Sequence, residues 1–209
     1  MNCAASAVLL QIVTIAVAIS SGIKVNTFAL LDSGSETSLI LEEFDDAIGL
    51  VEKESPLQLG TINSSGEPVR SRKVLFRVGA IEGPEAGVQI TVEEACTIRQ
   101  LNLRRVTRKM IQDFPKLTDL DIPEVDSEDV TILLGANVLE AILQHDVRRG
   151  RLVQPVAILA AFGWTLAGSV KSIVKPERLH VMHVHRVLNR VVEQASGRLV
   201  ATRILWYKV

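Results

Sequence analysis

Cysteine is scarce: Cys3 and Cys96 are the only two. They cannot build a disulfide framework or, by themselves, a four-ligand zinc site, and they read as reduced thiols of an intracellular protein. Charge of one sign is missing too. The 23 Lys and Arg stand against 24 Asp and Glu for a formal net charge of −1, which excludes a generally basic nucleic-acid coat and an acidic disordered tail. No run reaches the roughly eighteen apolar residues of a membrane span. The nearest candidate, residues 7–19 (AVLLQIVTIAVAI), contains Gln11 and Thr14. A secretory leader is a competing reading of that stretch, since Ala16-Val17-Ala18 resembles a cleavage site, but Met1–Ser6 carries none of the basic residues that begin a leader. Its Val and Ile suit a buried strand instead. Repeats and low-complexity segments are absent. What is present is a chain of 209 residues, 47% hydrophobic and 22% charged, with mean hydropathy +0.26. That is enough to bury the core of one domain, with or without an extension.

The first half reads as β. A long strand is predicted over Val8–Ile19, a turn at Ser20-Ser21-Gly22, and a second strand over Ile23–Leu31. After Asp32-Ser33-Gly34-Ser35, apolar character resumes at Leu39-Ile40-Leu41. A short helix over Glu42–Ile48 is stopped by Gly49. Two alternating runs, Pro56–Ile62 and Pro68–Val78, flank Asn63-Ser64-Ser65-Gly66 and predict a hairpin with an exposed tip. A strand over Val88–Ile98 follows. Further on come a helix over Leu101–Gln112, a surface loop over Phe114–Asp129, a strand over Val130–Leu134 and a helix over Asn137–Gln144 with Glu140 placed for a capping box. Short strands are predicted at Pro155–Leu159 and Trp164–Leu166. Val184, Val187, Leu188, Val191 and Val192 then mark a helix within Pro176–Ala195, and Leu199–Val209 reads as a last strand.

The chemistry sits in Phe28-Ala29-Leu30-Leu31-Asp32-Ser33-Gly34-Ser35. An apolar strand delivers one carboxylate into a tight turn made by a small hydroxyl residue and a glycine. About a hundred residues later, Thr131-Ile132-Leu133-Leu134-Gly135 supplies an apolar strand ending in glycine, suited to run beside that loop and pack it from behind. An Asp-Ser-Gly triplet alone is an ordinary Asx turn after a strand. The ordered set of strand, triplet, hairpin, second strand and helix is more specific.

That set is similar to one family. Ala29–Glu36 (ALLDSGSE), Leu133–Leu139 (LLGANVL) and Phe162–Gly168 (FGWTLAG) resemble, in this order, the retropepsin-type aspartic peptidase of BEL/Pao retrotransposons. Two positions depart from its pattern: Asn137 where Asp is usual and Ala167 where Ser is usual. The resemblance implies a mainly β fold, a closed acid-protease barrel with a flap hairpin and one or two short helices, over residues 7–170. Residues 171–209 form a C-terminal helical or strand extension of unassigned role; one reading is that it supplies dimer contacts.

The resemblance also implies an aspartic endopeptidase that cleaves a retrotransposon polyprotein, in the cytoplasm or an element-derived particle. The chain carries one such loop, so a pair of catalytic carboxylates requires a homodimer with Asp32 contributed twice. Two adjacent carboxyls share a proton, the ionised one activating water and the protonated one polarising the scissile carbonyl. By carry-over, Ser33 bonds across the dimer, Gly34 leaves room for the main chain, and Ser35 donates to Asp32, favouring an acidic working range. Asn63, Ser64, Ser65 and Gly66 form the flap tip over a polypeptide substrate, and Leu133, Leu134 and Gly135 back the loop. No metal, cofactor, nucleic acid or membrane is called for. The alternative is a catalytically silent, decayed or domesticated module of the same fold that only dimerises.

Other residues have plainer readings. His180, His183 and His185 share no helix face as a set and match no zinc spacing. The basic group Arg104, Arg105, Arg108 and Lys109 lacks interleaved aromatics and reads as a solvated helix face. Trp164, with apolar flanks, reads as core or interface. A serine-protease triad of the chymotrypsin order is excluded because His145 is the first histidine in the chain.

Overall fold

The computed structural model describes residues 6–19, 22–50, 52–61, 64–82, 87, 89–101, 117, 119–123, 125, 129–150, 154–171 and 185–186. The apolar opening stretch forms two strands, β1 (Ser6–Leu9) and β2 (Ile12–Ala18), where one had been expected. The break falls at Leu10-Gln11, where the Gln11 carbonyl accepts the Leu31 amide (2.8 Å). It lets the chain pass from one sheet to another. β3 (Lys24–Leu31) returns antiparallel along β2, from Ala18↔Lys24 to Ile12↔Leu30.

β4 (Ser38–Leu41) runs directly into α1 (Glu42–Ile48). Glu42, Glu43 and Asp45 occupy the first turn of that helix, where carboxylates suit its positive end. Gly49 ends it in the left-handed conformation, φ 64°, with its amide on the Asp45 carbonyl (2.8 Å). There follow β5 (Glu52–Glu54), β6 (Leu57–Thr61), β7 (Ser64–Val69), β8 (Arg72–Gly79) and β9 (Gln89–Ile98). β10 (Val130–Leu134) lies where the apolar run placed it. A 3-10 turn (Ala136–Val138), α2 (Leu139–Ile142), β11 (Asp146–Arg149), β12 (Val156–Ala160), β13 (Gly163–Lys171) and β14 (His185–Arg186) complete the described elements.

Six strands close on themselves in the order β2-β3-β10-β4-β9-β8, because β8 pairs back onto β2 from Ala16↔Gly79 to Ala18↔Arg77. The described residues are therefore mainly β, a closed six-stranded barrel with two short helices among them, and closure leaves those six strands no open edge along the paired stretch. Period-two alternation sorts the side chains between the faces of the wall. Val13, Ile15 and Val17, Ala29 and Leu31, Val74, Phe76 and Val78, Ile132 and Leu134 fill one cluster. Their neighbours in the same strands, Ile12, Leu30, Leu39 and Leu133, form a second cluster on the opposite face, joined by Leu57 from β6. Each buried Val, Leu, Ile or Phe among them contributes about 1.5–3 kcal/mol relative to its exposed state.

An antiparallel four-stranded sheet, β1-β13-β12-β11, lies beside the barrel. The buried Thr165 hydroxyl ties the two together by donating to the Ile12 carbonyl (2.7 Å). The third sheet, β14-β6-β7, is an arm rooted through Leu57. Of the helix expected over Pro176–Ala195 only residues 185–186 are described, and these are corrected: they are extended and antiparallel to Leu59–Gly60. The open edge of β6 offers their main-chain groups partners that a helix would otherwise have supplied internally. The helix expected over Leu101–Gln112, apart from Leu101, lies outside the described residues, as do the strand expected over Leu199–Val209, Cys3 and Asn63. Among the described residues, no helix is long and apolar enough to cross a membrane.

Candidate active site

β3 ends in three buried residues, Ala29, Leu30 and Leu31, and hands the chain to a half-buried Asp32. The Asp32 amide donates to the Leu134 carbonyl (3.0 Å), so the residue is pinned at the point where β3 and β10 part. Its Oδ1 accepts the Gly34 amide (2.9 Å), and its carbonyl accepts the Ser35 amide (3.1 Å). This is an Asx turn. It fixes one carboxylate oxygen from the main chain and leaves Ser33 exposed at the crown.

Ser35 corrects an expectation. Its side chain is fully buried and its hydroxyl donates to the Thr37 carbonyl (2.7 Å), so it stabilises the descending limb of the loop and not the Asp32 carboxylate. The geometry follows from burial: a hydroxyl without water must use the nearest carbonyl, and the chain folds Thr37 back to supply it.

The loop is clamped from behind. β10 lies between β3, to which it is parallel (Leu133↔Leu30, Leu134↔Leu31), and β4, to which it is antiparallel (Ile132↔Ile40). Leu133 and Leu134 are fully buried. Gly135 then crosses the descending limb so closely that a Cβ there would lie 2.6 Å from the Thr37 oxygen and 2.8 Å from the Ser35 oxygen. The next amide, of Ala136, donates to that same Ser35 oxygen (2.7 Å). A relay runs outward from the crossing. The Gly135 amide donates to Ser38 Oγ (3.0 Å), Ser38 Oγ donates to Asn137 Oδ1 (2.9 Å), and Asn137 Nδ2 donates to the Glu94 carbonyl (2.8 Å) on β9. Above it, Thr27 and Thr131 join β3 to β10 through their hydroxyls (2.6 Å).

The commitment of Asn137 to Ser38 and Glu94 removes the expected capping box. α2 has no side-chain cap, and the helix foreseen over Asn137–Gln144 shrinks to a 3-10 turn and a single helical turn. Thr37, Ser38 and the Glu94 carbonyl were not singled out from sequence. Their signal was the hydroxyl-rich Ser35-Glu36-Thr37-Ser38 immediately before an apolar strand, a composition that points to side-chain-to-backbone bonding.

The hairpin is present but its turn is displaced. Thr61 pairs with Ser64 and Gly60 with Ser65, so Ser64, Ser65 and Gly66 belong to β7 and not to the tip. The run Pro68–Val78 is divided at Arg70-Ser71, where Ser71 Oγ donates to the Thr97 carbonyl (2.8 Å) and the Arg72 amide donates to Thr97 Oγ1 (2.9 Å). At the hairpin root Leu57 is fully buried among Leu30 and Leu133, the residues that precede Leu31-Asp32 and Leu134-Gly135. Arm and loop thus share one apolar footing.

Elsewhere, Arg72 Nη2 lies 3.2 Å from the fully buried Asp45 and 2.7 Å from Asp46, joining β8 to α1. Trp164 is partly buried, with the Arg148 guanidinium 5.5 Å from its ring centre. Arg148 also pairs with Asp119 (2.6 Å), and its hydrogen bond holds the Asp119 carboxyl below the usual range. Cys96 is buried and unbonded to sulfur. Among the described residues no three His, Cys, Asp or Glu side chains gather as a metal site. The chain matches no protein-family model and no curated protein.

Proposed function

We propose that the protein is a retropepsin-like aspartic endopeptidase that acts as a homodimer, with Asp32 from two copies as its catalytic pair and a polyprotein of the BEL/Pao retrotransposon type as its substrate. The observation that carries this reading is the state of Asp32: a half-buried carboxylate at the end of a buried strand, oriented by the Gly34 amide and set on a loop whose rear is closed by Gly135. One such carboxylate per chain makes a second copy part of the reaction centre. At the dimer axis the two carboxyls share one proton, since both cannot ionise side by side. The ionised Asp32 takes a proton from water as that water adds to the scissile carbonyl carbon, while the protonated one donates to the carbonyl oxygen. Collapse of the tetrahedral intermediate breaks the C–N bond, and the amine leaves with a proton returned by the pair.

The exposed Ser33 is available to the second copy, and Leu139 and Leu143, each about half exposed, give an apolar surface next to the backing strand. The β6–β7 arm is the flap that covers a bound peptide. The test is cleavage of an unstructured protein between about pH 4 and about pH 7, with and without a statine-type inhibitor. Inhibitor-sensitive cleavage that falls at least about 100-fold in Asp32→Asn, with the circular dichroism spectrum retained, supports the reading. A folded dimer that cleaves nothing at any pH overturns it and leaves a dimerisation module.

A further inference from the structure

β6 has two main-chain edges. One pairs with β7, and the other carries β14, with His185 opposite Gly60 and Arg186 opposite Leu59. The occupied stretch begins two residues beyond Leu57, which is buried against the strands that lead to Asp32 and Gly135. Gly60 brings no side chain to this pairing, and the β6–β7 register shifts between Gln58 and Gly60. A glycine and an irregularity in a strand are features that let another backbone approach closely. An extended peptide that adds to such an edge is held by main-chain bonds, so the edge accepts varied sequences.

We propose that residues 185–186 occupy, in cis, the edge on which the arm receives peptide, so that the C-terminal segment competes with any other chain for the site. This rests on the peptide-binding part of the function proposed above. The described ladder has two residue pairs, and the tether raises its occupancy. A linked segment whose effective concentration is about tenfold above the dissociation constant of the edge fills it, and weakens a free competitor about tenfold. The occupant is therefore displaceable, and the chain's own tail sets the threshold above which a foreign peptide enters.

The experiment uses the full chain and a labelled synthetic peptide of residues 181–190 (VMHVHRVLNR), followed by fluorescence anisotropy. His185→Pro combined with Arg186→Pro removes both amide donors from the tethered strand, and the free peptide is expected to bind this variant about tenfold more tightly than wild type. His185→Ala combined with Arg186→Ala keeps those donors and is expected to bind as wild type does. Equal affinity for wild type and the double-proline variant overturns the proposal, as does equal release by the alanine and proline pairs. Anisotropy requires no cleavage. A protein that cuts nothing but gains affinity in the double-proline variant retains this inference and loses the enzymatic one. A protein that cuts a substrate at one rate in all three forms, with unchanged peptide affinity, does the reverse.

Discussion

Gly135 and Thr37 touch backbone to backbone: a methyl group on Gly135 would meet the Thr37 carbonyl oxygen at 2.6 Å and its carbon at 2.7 Å. Neither atom belongs to a flexible side chain, so the strand and the loop must separate to admit it. Gly135→Ala is expected to cost about 1–3 kcal/mol, lowering the midpoint of thermal unfolding by roughly 2–10 °C. Gly87→Ala, where nothing lies within 4 Å, serves as the control and should leave the midpoint in place. Equal midpoints for the two variants would show that the crossing tolerates the methyl.

Asn137 both accepts from Ser38 and donates to the Glu94 carbonyl. Aspartate, the residue the family resemblance led one to expect, keeps the first bond and loses the second when ionised. Asn137→Asp should therefore destabilise the fold by about 1 kcal/mol at neutral pH. A protonated carboxyl regains a donor, so the deficit narrows as pH falls below about 4. Urea unfolding at two pH values checks both the size and the sign.

The carboxylate of Asp45 is fully buried and Arg72 is its neighbour on β8. Arg72→Met leaves that carboxylate without the guanidinium, a loss of about 3 kcal/mol or more. Replacing both, with Asp45→Leu added, removes the buried charge and should recover most of the stability. If the double variant is no more stable than Arg72→Met, the pair is not the source of the loss.

Arg148 holds the pKa of Asp119 below the ordinary carboxyl value, chiefly by its hydrogen bond. A carboxyl with a depressed folded value stabilises the protein above its unfolded value and loses that contribution as pH falls through the folded one. Arg148→Ala should thus be less stable than wild type at neutral pH, by a margin that shrinks on acidification. The residual margin at low pH reports the lost stacking on Trp164, which does not titrate. A margin that grows with acid would contradict the assignment.

Much of this architecture was legible in single segments. Val130–Leu134 is apolar throughout and proved to be a strand buried between two others; Glu42–Ile48 ended at Gly49 because that glycine takes a conformation other residues resist. What pattern cannot carry is partnership across distance. The parallel contact of Leu134 with Leu31 joins segments a hundred residues apart, and no local period encodes it. The same holds for Ser35, whose hydroxyl was expected on Asp32 and is bonded instead to the Thr37 carbonyl. The break at Leu10-Gln11 was hidden because both sides of it are equally apolar. The turn of the arm moved because strand pairing, not the Ser and Gly content of Asn63–Gly66, chose where the ladder ends.

The antiparallel match of Ser6–Leu9 with Gly168–Lys171 has a consequence during synthesis. At about 5–20 residues per second, a ribosome that has released β1 needs about 10–30 s more before β13 follows. β3 likewise waits for β10. For that interval β1 has no native strand partner and β3 has β2 alone, in a cell full of other nascent chains. The pairing of the first strand waits for one made more than 150 residues later, and slowing translation within the middle hundred residues should lower the protein's soluble yield more than slowing it after Lys171.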